Sequence, residues 1–162
     1  MSISRRIAYS GVVMALYIVV VFATQSFSFG QYQIRIATAL YALAFHFPFL
    51  VLPLALANML SNLLMGGLGL FDIVGGFVIG LITAGSIALL GKVTKRAYVL
   101  VLPIALAPSF VVPIWLSYIL NIPYIYLVIS LLVGQIISAY TLGILIIKST
   151  WIQKLIPNPQ EK

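Results

Sequence analysis

Apolar residues in this chain fall into long runs, separated by short breaks rich in glycine, proline and polar side chains. The runs at 7–24, 71–91, 98–118 and 124–147 each approach or exceed the roughly 20 residues that carry a helix across a bilayer. A fifth stretch, from Ile36 to Leu64, is interrupted by His46, Pro48, Pro53, Asn58, Ser61 and Asn62. As one helix it would be roughly 43 Å long, well beyond a ~30 Å hydrocarbon core. Pro48 disfavours helical geometry at Phe47 and removes a backbone donor, so the pattern predicts two shorter helices, 36–46 and 49–64, turning at His46-Phe47-Pro48. Pro103, Pro108 and Pro113 predict a bend or local unwinding in the 98–118 helix. The expectation is an all-α polytopic membrane protein, one integral membrane domain with six transmembrane helices.

Charge placement supports that count. With six helices and both termini on the cytoplasmic side, Arg5, Arg6, Lys92, Lys95, Arg96, Lys148, Lys154 and Lys162 are all cytoplasmic and Arg35 alone lies outside. A single helix over Ile36–Leu64 would set Lys92–Arg96 opposite Arg5 and Arg6. The composition agrees with residence in lipid: 63% of residues are hydrophobic and 7% charged. The formal charge of +7 comes from dispersed basic residues, not from a patch suited to nucleic acid. Without cysteine there is no disulfide, thiolate metal site or cysteine nucleophile. Arg5-Arg6 followed by an apolar run has a secretory look, but the run is long for a signal sequence and lacks a clear cleavage site, so it is read as a retained first helix.

This topology gathers the polar groups of the first half on the outer side. Asp72 stands out there: it is the only acidic residue before Glu161, and a carboxylate at membrane depth costs a few kcal/mol unless it meets a partner, water or a ligand. Arg35 is the one cation placed to meet it, either as a structural ion pair or as the organiser of a loop beside a carboxylate that takes two donors of a ligand edge. Gln31, Gln33, Asn58, Asn62 and Gln135 add amides, which donate and accept and so suit heterocycles with mixed edges. Tyr124, with Tyr118 and Tyr126, is either a wall for an aromatic ligand or part of an interfacial belt. Gly11 and Ala15, with Ala8 and Ala23 near the same stripe, offer a small-residue face for another helix, within this chain or in a separate subunit. Gly76, Gly80, Ala84 and Ala88 form a second such ladder, expected to pack internally.

Catalysis finds little support. His46 is the only histidine and has no second histidine or carboxylate beside it in sequence. Gly85 through Gly91-Lys92-Val93 fails the phosphate-loop pattern, having five residues between its glycines and no Ser or Thr after the lysine. Neither a metal nor a cofactor is expected. Energy for active transport would have to come from an ion gradient or another protein. A single intramembrane carboxylate and the absence of an evident inverted repeat speak against the gradient.

The six-helix layout and the stretch Gly11-Val12-Val13-Met14-Ala15-Leu16-Tyr17 resemble the membrane substrate-binding (S) components of energy-coupling-factor vitamin transporters. Gln31-Tyr32-Gln33-Ile34-Arg35-Ile36-Ala37-Thr38-Ala39-Leu40, Asn62-Leu63-Leu64 and Gly66-Gly67-Leu68-Gly69-Leu70-Phe71-Asp72-Ile73 resemble the QueT-like family proposed to import queuosine precursors. The resemblance covers the first four helices and is weak over the last two. It implies a high-affinity capture subunit in a prokaryotic plasma membrane, docking through its first helix to a coupling membrane subunit that works with two ATPases. The implied ligand is a 7-deazaguanine or queuine, or a similar small heterocycle. The alternatives are a solitary small-molecule permease or an S component for a different vitamin or amino acid. The family pattern has an acid in an Ile-Ser-Glu-Ala-Leu stretch where this chain has Ala37-Thr38, which leaves Asp72 to read a guanine-like edge alone and opens the ligand to neutral precursors.

Overall fold

The computed structural model describes residues 1–29, 34–65 and 68–155, with side chains as far as 152. Among these residues all regular structure is helical. In chain order the helices are α1 (Ile3–Ala23), the single turn α2 (Gln25–Ser28), α3 (Ile36–His46), α4 (Pro48–Leu64), α5 (Leu70–Val93), α6 (Ala97–Leu120), α7 (Tyr124–Lys148) and the short α8 (Thr150–Leu155). Four of them, α1, α5, α6 and α7, are long and apolar enough to cross a membrane. The six-helix expectation therefore meets four helices of spanning length and two shorter apolar ones, α3 and α4.

The chain breaks at Phe47, whose φ of −133° and ψ of 80° leave the helical region directly before Pro48. By contrast, α6 does not unwind at its prolines. Pro103 falls in the first turn of the stretch Leu102–Leu120, where its missing N–H costs nothing, and the helix continues through Pro108 and Pro113. The Ser109 hydroxyl donates to the Ala105 carbonyl at 2.6 Å beside the first of these interruptions. Asn121 ends α6 in the left-handed region (φ 53°), which asparagine tolerates better than most side chains. In α7 a π-helical turn at Ala139–Gly143 interrupts the regular winding, a feature that the hydropathy pattern does not signal.

Helix α1 packs on α4, α4 on α5, α5 on α6 and α6 on α7, while α3 touches all five. The first seven residues of α3, Ile36–Ala42, wind as a 3-10 helix, an unusual length for that geometry. Alanines at 37, 39 and 42, all buried, keep this segment thin enough to stand at the centre of the bundle. Close approach elsewhere depends on glycine. A methyl at Gly80 would sit 2.6 Å from Ala55 Cα, and one at Gly91 would sit 2.7 Å from the Phe45 ring, so α5 lies directly against α4 and α3. The ladder Gly76, Gly80 and Ala84 is buried, as internal packing requires.

Large apolar side chains such as Val12, Val19, Leu89, Ile114 and Leu145 are exposed around the outside. A belt of this kind is at home in hydrocarbon and not in water. At the end of the bundle where α3 and α7 finish, His46 Nε2 lies 3.2 and 3.1 Å from the Ile146 and Ile147 carbonyls and ties the two helices together. His46 thus has a structural duty.

Candidate functional site

At the other end, where α5 begins and α6 finishes, helices α3 to α7 enclose a cavity of about 620 Å³, within the usual range for small-molecule sites. No residue of α1 lines it. Asp72 stands on its wall in the first turn of α5, following Gly69, whose φ of 92° turns the chain sharply into the helix. One carboxylate oxygen, Oδ2, accepts the Leu68 backbone N–H at 3.3 Å, and the other, Oδ1, accepts the indole N–H of Trp115 at 3.2 Å. These two donors and the positive end of the α5 dipole offset the desolvation of a side chain only 8% exposed. Each oxygen keeps acceptor capacity beyond its one protein donor.

Arg35 enters the cavity from the start of α3. Its Nη1 donates to Asn58 Oδ1 and its Nη2 to Asn62 Oδ1, both at 2.8 Å. Asn58 and Asn62 are four apart on α4, so their side chains lie one above the other and match the guanidinium fork. Their other ends are anchored too: Asn58 Nδ2 donates to the Gly76 carbonyl and Asn62 Nδ2 to the Asp72 carbonyl, again at 2.8 Å. The Phe29 ring lies 4.9 Å from the guanidinium carbon. Arg35 Nε is buried without a hydrogen-bond partner.

Arg35, Thr38 and Tyr41 all line the cavity, and the 3-10 winding explains why. At three residues per turn, positions three apart eclipse one another, so these side chains form one straight column down the wall. The Thr38 hydroxyl lies 2.8 Å from Gln135 Oε1 on α7 and 2.6 Å from the Arg35 carbonyl, donating its single proton to one or the other. Tyr41 closes the floor. Trp115 and Tyr126 add aromatic surface, and Ser130 a hydroxyl. Among the described residues no cluster of His, Asp or Glu could hold a metal ion.

A family model described as the QueT transporter matches residues 7–151, most of the chain. The chain belongs to the QueT transporter family. A transport role follows, which suits an apolar helical bundle with a polar cavity. No curated protein and no solved structure matches this QueT transporter.

Of the site residues that its sequence suggested, this transporter brings Asp72, Arg35, Asn58, Asn62 and Gln135 to one cavity. Gln31 and Gln33 lie outside the described residues. Tyr124 does not line the cavity: its hydroxyl donates to the Phe110 carbonyl at 2.8 Å, tying the start of α7 to the proline-bearing part of α6. Tyr118 is 88% exposed and also lies outside it. Arg35 and Asp72 form no ion pair, since amides occupy the terminal nitrogens of Arg35 and two N–H groups hold the carboxylate. The sequence reading missed Trp115, Tyr41 and Phe29. A period of three through 35, 38 and 41 was the one available signal for Tyr41.

The small-residue face of α1 resolves in the other direction. Ala8, Gly11 and Ala15 are exposed, and nothing lies within 4 Å of the position a Gly11 Cβ would take. These residues do not serve packing within the chain.

Proposed function

We propose that this transporter is the substrate-capturing membrane subunit of an energy-coupling-factor importer. Its ligand is a queuosine precursor, a 7-deazaguanine or queuine, or a heterocycle of similar size and polarity. The observation that carries the reading is the Asp72 carboxylate, held by two N–H groups on the wall of an enclosed cavity with acceptor capacity left on both oxygens. Such a group suits the adjacent N–H donors of an amidine-like edge. Arg35 and the Thr38–Gln135 pair supply polar partners for the remaining edges, and Trp115, Phe29 and Tyr126 suit the faces of a flat ring.

In this reading six passes cross a prokaryotic plasma membrane, with α3 and α4 as its shorter legs and both termini in the cytoplasm. That arrangement puts Arg5, Arg6, Lys92, Lys95, Arg96 and Lys148 inside and opens the cavity outward. The exposed face of Ala8, Gly11 and Ala15 receives the coupling membrane subunit, which two ATPases drive. A solitary permease is less well supported, because below the cavity the bundle is filled by Tyr17, Leu54, Ile87, Leu100 and Ile104, all fully buried.

The test is calorimetry on the purified chain in detergent with 7-deazaguanines, queuine, riboflavin, thiamine and tryptophan. Submicromolar binding of a 7-deazaguanine or queuine is the expected result. Tight binding of another compound would reassign the ligand, and silence across the panel would remove the support for capture of this class.

A further inference from the structure

Helix α1 stands apart from the cavity, yet it carries a polar group to the cavity floor. Tyr17 is completely buried at mid-helix, and its hydroxyl lies 3.4 Å from that of Tyr41, with the two rings 5.8 Å apart and tilted at 46°. Tyr41 is the cavity-lining member of the pair. Its hydroxyl lies beside the Asn58 side chain, while the Tyr17 hydroxyl lies beside the Arg35 guanidinium. Asn58 in turn accepts from Arg35 at 2.8 Å. Two tyrosine hydroxyls, one amide and one guanidinium therefore make a closed polar set, three members of which line the cavity while the fourth belongs to α1.

The position of Tyr17 on α1 gives this set its meaning. At about 100° per residue, Tyr17 points roughly 150° away from the mean direction of Ala8, Gly11 and Ala15. Val13 and Val21, the other buried residues of α1, share the inward side with Tyr17, but they offer only packing. One face of a stiff helix is thus open to the surroundings, and the opposite face holds a hydroxyl against the group that positions Arg35. A sideways shift or rotation of α1 by an ångström or two would break a hydrogen bond already at the long end of the range.

We propose that Tyr17 is a positioning residue for the cavity, setting the orientation of Arg35 through Tyr41 and Asn58 and so linking the placement of α1 to substrate affinity. The inference rests on the capture reading above and deepens it. Linkage then requires reciprocity: whatever moves α1 and weakens substrate binding is itself bound less tightly when substrate is present, by the same factor.

Tyr17→Phe removes the hydroxyl and keeps the ring. Two measurements on the full chain decide the matter. In the absence of any ligand, the ¹H–¹⁵N resonance of the buried Arg35 Nε should shift and exchange faster with solvent in Tyr17→Phe and in Tyr41→Phe, and stay unchanged in Val21→Ala. In calorimetry with the tightest-binding 7-deazaguanine, Tyr17→Phe should weaken affinity about three- to tenfold, the share of one hydrogen bond, while Val21→Ala holds the wild-type value. An Arg35 resonance indifferent to Tyr17→Phe, or equally disturbed by Val21→Ala, would overturn the proposal. If the wild-type chain binds no compound of the panel, the capture reading fails by itself, and the Arg35 resonance still tells whether the set holds together.

Discussion

Asn62 stands between Arg35 and Asp72, accepting the Arg35 Nη2 hydrogen on its amide oxygen and donating its own N–H to the Asp72 carbonyl, each at 2.8 Å. The two opposite charges of the cavity are thereby held in one framework without neutralising each other. An ion pair would have used up the carboxylate. The amide bridge leaves it facing the cavity, where a ligand can meet it.

Asp72→Asn tests that carboxylate. The substitution keeps the volume but replaces an acceptor-only group with one that also donates, and it removes the charge from every bond to the ligand. We expect at least a tenfold loss of affinity in calorimetry, with the protein still eluting as a single monodisperse species. A large loss of stability with no change in affinity would make Asp72 purely structural.

Arg35→Lys tests the fork. Lysine keeps the charge but is a single point donor, which cannot reach Asn58 and Asn62 together in the planar geometry they are set for. Affinity should fall tenfold or more although the net charge is unchanged. Wild-type binding by the lysine variant would mean that charge alone is what the cavity uses.

Gly75→Ala tests the seat of Trp115. The added methyl would lie 2.6 Å from Trp115 Cζ2, and a rigid indole can escape only by moving as a whole, away from Asp72 Oδ1. Weaker ligand binding and altered tryptophan fluorescence are the expected pair of signs. Unchanged spectra would mean that the ring has room which the geometry denies it.

Gly80 and Gly11 separate packing from docking. Gly80→Ala drives a methyl to 2.6 Å from the α4 backbone at Ala55 and should cost about 1–3 kcal/mol, read as a thermal midpoint lower by several degrees. Gly11→Leu and Ala15→Leu meet open space and should leave the midpoint and ligand affinity alone while abolishing co-purification with a coupling subunit. Assembly that survives both leucines would exclude this face as the docking surface.

Features governed by single residues were the most legible in the sequence. Pro48 marks the break at Phe47 because a proline ring acts on its neighbour whatever the surroundings. Asp72 marks the cavity because a carboxylate in an apolar stretch needs compensation wherever the chain takes it. Features set by the rotation of a helix about its own axis were not legible. α6 is apolar all round, so nothing in its pattern tells that Trp115 turns inward, and the same uncertainty let Tyr124 pass for a cavity residue. A list of charges could not reveal that amides would intervene between Arg35 and Asp72. Nor do alanine, leucine and tyrosine announce whether a segment such as Ile36–Ala42 winds in the α or the 3-10 manner.

That winding divides the segment into two sets of positions with different freedom to vary. Ala37, Ala39 and Ala42 are pinned by the neighbouring helices, where any larger side chain would force the bundle apart. Positions 35, 38 and 41 look into open space and answer mainly to whatever occupies it. Relatives adapted to other cargo should therefore differ at this triplet and keep small residues at the intervening ones. Swapping the triplet alone is then the shortest route to a changed preference, with the scaffold left as it is.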